Sequence, residues 1–192
     1  MTENSMHQAR ATLSAQSSVR KMTLTGVCVA LLAASAYISF PLPFTPGMVT
    51  ALTLAMNLTA FIMTPKQTLI VMLGYILLGI VGLPVFIGGA AGLGKLLGPT
   101  GGFTIAFAAA YPIVSLLKGS RISLRRYFLI AVCIGIPITY IGGVIVMMLV
   151  LHINIWQALI MGVFPFIPGD IIKSFAAAWL GVKLNKVFAQ WG

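Results

Sequence analysis

Acidic residues are almost missing from this chain: Glu3 and Asp170 stand alone among 192 residues, against twelve Lys and Arg. Charge of either sign is scarce, at 7% of residues, where soluble domains carry about 25%. So little charge cannot coat a globule in water, which excludes a disordered chain and a water-soluble enzyme. Histidine is as rare. His7 and His152 are far apart, and no second ligand stands near either at metal-binding spacing. One Asp, no Glu beyond position 3 and two remote histidines cannot build a nucleophile–base–acid set. Cys28 and Cys133 each lie in an apolar stretch without a Cys or His neighbour at ligand spacing, and read as small core residues. Neither an enzyme nor a metal site is expected.

Apolar residues fill the space that charge leaves. They make up 59% of the chain, and its mean hydropathy is +1.05. No Asp, Glu, Lys or Arg occurs in 22–65, 67–94, 96–117 or 127–169. A helix needs about 20 apolar residues to cross a bilayer, so these runs hold room for about six spans. The expected fold is an all-α integral membrane protein with six transmembrane helices. A formal charge of +10 could suggest nucleic acid. Here, however, the basic residues sit singly or in short clusters between apolar runs, as positive-inside topology requires, with no basic face to grip phosphates.

The polar stretch 1–21 is expected to be a mobile cytoplasmic tail, and 22–192 a single membrane domain. Span one covers about 22–40. Ala34-Ser35-Ala36 looks like a signal-peptidase site, but the apolar run continues past it to Phe40. Pro41, Pro43, Pro46 and Gly47 break the chain, and spans two and three follow at 48–64 and 67–83, joined by a turn at Pro65-Lys66. The Gly-rich segment from Gly82 to Gly102 is too broken for a helix yet apolar. Irregular backbone at membrane depth is tolerated where protein covers it or where it lines a cavity, so 84–102 is a candidate wall or lid. Spans four and five cover 103–117 and 127–151. Residues 156–164 form a short surface or re-entrant helix, and span six begins near Asp170. With both termini in the cytoplasm, ten of the twelve basic residues fall inside: Arg10, Arg20, Lys21, Lys66, Lys118, Arg121, Arg125, Arg126, Lys183 and Lys186. Lys95 falls outside and Lys173 in the last span.

Asp170 is the one acid at membrane depth, and such a group marks a functional site with a nearby partner by default. Lys173 lies three residues on, on the same helical face. An N-terminal cap neutralised by Lys173 is the plainer alternative, but a cap does not call for a lysine. In the threaded chain Asp170, Lys173, the 41–47 turn and the 84–102 segment all reach the external end. They form a mouth suited to a small solute with donors for a carboxylate and an acceptor or anion for an ammonium. Phe40, Phe44, Tyr75, Phe86 and Trp156 are candidates for its apolar lining.

Two further patterns stand out. Gly89-Ala90-Ala91-Gly92-Leu93-Gly94-Lys95 matches the first seven positions of a P-loop, but Leu96 replaces the magnesium-holding Ser or Thr and no strand precedes it. It is not a nucleotide site. Gly26, Ala30 and Ala34 recur every four residues and make a small-residue ridge that another helix can approach closely, within this chain or beyond it.

Taken together, three ordered motifs resemble the BioY family, the biotin-specific membrane components of energy-coupling-factor (ECF) transporters. They are Pro41-Leu42-Pro43-Phe44-Thr45; Gly82-Leu83-Pro84-Val85-Phe86 continuing through Gly88-Gly89 to Leu97-Gly98-Pro99-Thr100-Gly101-Gly102; and Pro165-Phe166-Ile167-Pro168-Gly169-Asp170-Ile171-Ile172-Lys173. The resemblance runs from about 22 to 186. Two departures are visible: Pro46-Gly47-Met48 replaces the family's usual Gln-Thr continuation, and Lys95 stands where an apolar residue is expected. The resemblance implies a biotin-binding subunit of the prokaryotic plasma membrane, with biotin as substrate and no cofactor. Its implied partners are a transmembrane coupling protein, two ATPase subunits and membrane lipid. Asp170, Lys173, Phe44, Thr45, Tyr75 and Phe86 are the implied substrate contacts, with Gly26, Ala30 and Ala34 on the docking helix. Another vitamin or small heterocycle on the same scaffold, or a structural subunit in which Asp170 only caps, are the alternatives.

Overall fold

The computed structural model describes residues 3–190, with side chains from Val19 to Gln190. Helix α1 (Glu3–Tyr37) runs unbroken through the point where span one was expected to start, so the polar stretch and the span share one helix. The apolar part of that helix is Val19–Tyr37. Arg10, counted above among the cytoplasmic charges, lies outside the described side chains.

The proline-rich turn brings the first correction to an all-helical reading. Ser39–Pro41 (β1) pairs antiparallel with Met48–Thr50 (β2), so the expected start of span two is strand. Helix α2 (Leu52–Ile62) is therefore only 11 residues long. Helix α3 (Pro65–Ile80) follows at once because Thr64 caps it: Thr64 and Gln67 exchange side-chain and backbone bonds, and Pro65 fits a first helical turn that needs no N–H.

The Gly-rich segment folds as a compact cover. It contains a 3₁₀ turn (Ile87–Gly89) and a short helix α4 (Leu93–Leu97). Gly88 and Gly89 have φ of 74° and 72°, a left-handed conformation that other residues adopt only with strain. Helix α5 (Gly101–Lys118) comes next. Helix α6 (Leu124–Ile130), a π-turn (Ala131–Gly135) and α7 (Ile136–Leu151) form one long apolar path. Pro137 lacks an N–H for the preceding turn, and the π-turn just before it absorbs that gap. Helix α8 (Ile155–Gly162) meets α9 (Ile167–Gln190) at a bend of 51°. Pro168 and Gly169 lie inside the first turn of α9 rather than before it, as Pro tolerates there.

Among the described residues, three helical stretches are long and apolar enough to cross a membrane: Val19–Tyr37, Gly101–Lys118 and Leu124–Leu151. The bent α8–α9 pair makes a fourth, while α2 and α3 are apolar but shorter. The bundle is a multi-pass membrane protein.

Small residues set the helix spacing. A Cβ on Gly102 would lie 2.5 Å from the Gly142 carbonyl oxygen, and one on Gly142 would lie 2.6 Å from the Ala106 Cβ. Helices α5 and α7 therefore touch almost backbone to backbone. On the other side, a Cβ on Gly181 of α9 would come within 2.9 Å of Phe61 of α2. These close approaches bring α2, α5, α7 and α9 around one cavity at the hairpin end.

Candidate functional site

Asp170 sits in the first turn of α9 and is 8% exposed. Lys173 follows one turn later on the same face, its Nζ 2.6 Å from Asp170 Oδ1. Two more helices reach the carboxylate. Thr53 of α2 donates its hydroxyl to Oδ1 at 3.2 Å, and Tyr140 of α7 donates to Oδ2 at 2.7 Å. All three partners are side chains, so Asp170 is not serving as a helix cap among the described residues. A buried carboxylate is tolerable only when charge and lone pairs are met in this way.

The ammonium of Lys173 also donates to the Thr50 carbonyl at 3.0 Å, which ties α9 to the end of β2. An ammonium carries three donors, so one remains after Asp170 and Thr50. Lys173 and Asp170 line a cavity whose apolar wall is Phe103 and Phe107 of α5 with Phe166 and Met147. Thr50, Thr53, Thr139 and Tyr140 supply its hydroxyls, and Lys95 and Thr100 reach it from the Gly-rich cover. Phe103 meets Tyr140 edge-on, with ring centroids 6.5 Å apart, which fixes the tyrosine beside the carboxylate. The arrangement offers a carboxylate, a shared ammonium and an aromatic slot to a small solute.

The expected site residues divide. Asp170 and Lys173 are brought together as expected. Thr45 sits beside the cavity in a supporting position: its hydroxyl bonds the Met161 carbonyl and accepts from Gly47 N at 3.1 Å, while Gly47 itself lines the cavity. Phe44 is 62% exposed and does not line it. Tyr75 and Phe86, both 1% exposed, pack edge-on under the Gly-rich cover, with centroids 5.7 Å apart. A Cβ on Gly79 would collide with the Phe86 ring, so that ring is locked against α3. They hold the cover down instead of lining the cavity. Phe40 and Trp156 are exposed as well.

Thr53, Tyr140, Phe103, Phe107 and Phe166 were missed. Two traces of them stand in the sequence: Phe166 lies within the Pro165–Lys173 motif, and Thr53 comes one turn before Asn57 in the largely apolar α2. On α1, Gly26, Ala30 and Ala34 are all exposed, while Cys28, Leu32 and Ala36 of the same helix are buried. The small-residue ridge therefore faces away from the bundle, which removes the reading in which it packs inside this chain.

With this geometry in place, comparison with known proteins is decisive. The model of the BioY family matches residues 6–190. The chain belongs to the BioY family. A probable biotin transporter BioY of Bacillus subtilis is 33% identical over 150 residues, covering 77% of this chain and 80% of that protein. The biotin transporter BioY of Thermotoga maritima is 32% identical over 169 residues, covering 88% and 98%. A crystal structure of the S-component for biotin from an ECF-type ABC transporter superposes with a TM-score of 0.82, covering 97% of this chain and 95% of that one at 23% identity. That likeness is one of fold. The BioY-family chain thus shares the fold of that S-component, with its own buried ion pair at one end of the bundle.

Proposed function

We propose that this BioY-family chain is the biotin-binding membrane subunit of an ECF transporter, a transport protein rather than an enzyme. The observation that carries the reading is the Asp170–Lys173 pair set against an aromatic slot. The ureido group of biotin presents two N–H donors and a carbonyl. The carboxylate of Asp170 can accept from the first, and the unused N–H of Lys173 can donate to the second. The aromatic wall of Phe103, Phe107 and Phe166 suits the fused ring.

The subunit lies in the prokaryotic plasma membrane with six spans, counting α2 and α3, and both termini in the cytoplasm. The cavity then faces outside. The exposed Gly26–Ala30–Ala34 face of α1 is the docking surface for a transmembrane coupling protein driven by two ATPase subunits. Close helix approach needs such small residues. Ala30→Trp and Ala34→Trp are expected to abolish ATP-dependent uptake while the isolated chain still binds biotin.

Saturable binding of labelled biotin to the purified chain tests the reading. Displacement by unlabelled biotin is the expected result. No binding, or equal displacement by an unrelated heterocyclic vitamin, would overturn the assignment of biotin.

A further inference from the structure

The charges lining the cavity do not balance. Asp170 and Lys173 cancel each other at 2.6 Å, yet Lys95 lines the same cavity from α4. Lys95 is half-buried. The chain has only one acid besides Asp170, and that one, Glu3, opens α1 at the other end of a 35-residue helix from the hairpin. The one salt bridge among the described residues is that of Asp170 with Lys173. The cavity wall therefore carries one net positive charge. A half-buried ammonium without a counter-ion is a cost to the unliganded protein, and a ligand bearing one negative charge relieves it.

From this imbalance we propose that Lys95 is the anion subsite of the cavity and receives the carboxylate of the ligand, leaving the Asp170–Lys173 pair to its ring. This rests on the proposed reading of the cavity as a biotin site. The two halves of the ligand are then read by separate groups: the ring by a neutral ion pair with hydroxyl neighbours, the side-chain carboxylate by a single cation on the Gly-rich cover. The glycines around Lys95 leave the α4 backbone free of bulk, since a Cβ at Gly92 or Gly94 would meet nothing within 4 Å. The apparent P-loop lysine thus serves an anion that is not a nucleotide. Because the ligand bridges cover and bundle, an uncharged analogue loses the charge of the Lys95 contact and keeps the ring contacts.

Calorimetry on the purified full chain with biotin and with biotin carboxamide tests the proposal. Wild type is expected to bind biotin about ten- to a hundredfold tighter than the amide, the range of one charge-assisted hydrogen bond. In Lys95→Met the preference for biotin should fall to near unity, with neither compound binding tighter than the amide binds to wild type. Lys95→Arg should restore most of the preference. A preference retained in Lys95→Met, or equal affinities in wild type, would overturn the subsite while leaving biotin recognition intact. Failure of wild type to bind either compound would remove both the reading and the subsite.

Discussion

Lys118 and Lys173 are both half-buried lysines, at opposite ends of the bundle, and they are held in opposite ways. Lys118, at the end of α5, has no acid beside it among the described residues. Its Nζ donates to the carbonyls of Ala60 and Phe61, each at 2.8 Å, and to that of Met63. These are carbonyls that the end of α2 leaves unpaired, and a cation there also suits the helix dipole. Ser115 and Asn185 meet the same turn, at 2.6 Å to Met63 O and 2.9 Å to Phe61 O. All three donors of Lys118 are used, so nothing is left for a ligand. Lys173 instead shares a carboxylate with two other helices, donates to one carbonyl and keeps a donor in reserve on a cavity wall. Burial alone does not mark a functional lysine. The count of its unused donors and the space beside it do.

The contrast is all-or-none if the two ends face different compartments. In a chain with Cys28 and Cys133 replaced by alanine, a cysteine at Ser120 should be labelled only from the cytoplasm, and one at Leu97 only from outside. The reverse pattern would invert the ends and move the cavity inside.

Asp170→Ala should have the next largest effect. Removing one partner of a buried pair destabilises by about 3–5 kcal/mol, and biotin affinity should drop about ten- to a hundredfold as a charged hydrogen bond is lost. Removing both charges, as Asp170→Asn with Lys173→Met, should recover much of the melting temperature without recovering binding. Recovery of binding as well would show that the pair is structural.

Lys118→Met provides the matching test at the other end. Its loss strands neutral carbonyls but no counter-charge, so the expected cost is about 1–3 kcal/mol of stability, read by thermal melting in detergent. Biotin affinity should stay at the wild-type value. A loss of affinity larger than the loss of stability explains would break the division of labour.

The smallest change is expected from Tyr140→Phe, which removes one hydroxyl from Asp170 and leaves the ring against Phe103. A single hydrogen bond is worth about 1 kcal/mol net, so binding should weaken about fivefold. No change would mean that Thr53 and Lys173 suffice to hold the carboxylate.

Composition alone made the chain a multi-pass membrane protein, because charge-free runs of this length have no other stable setting. Asp170 and Lys173 were legible as a pair for a local reason: residues three apart on a helix share a face wherever the helix goes. Phe44 and Phe86 were placed at the cavity because they stand in conspicuous Pro and Gly motifs, and Tyr75 as an aromatic candidate for its apolar lining. The structure shows those motifs shaping the hairpin and the cover, with Phe44 turned to the surface and Phe86 locked against Tyr75 of α3.

What tertiary structure decided was everything that crosses between helices. Thr53 and Tyr140 meet Asp170 across sequence separations of 117 and 30 residues. Phe103 and Phe107 reach the cavity because Gly102 and Gly142 let α5 and α7 close together. The outward face of the Gly26–Ala30–Ala34 ridge depends likewise on which side of α1 the bundle covers. Spacing along a chain sets which residues share a face of one helix. The rotation and depth at which two helices meet follow from close packing of side chains far apart in sequence, and no local pattern encodes that.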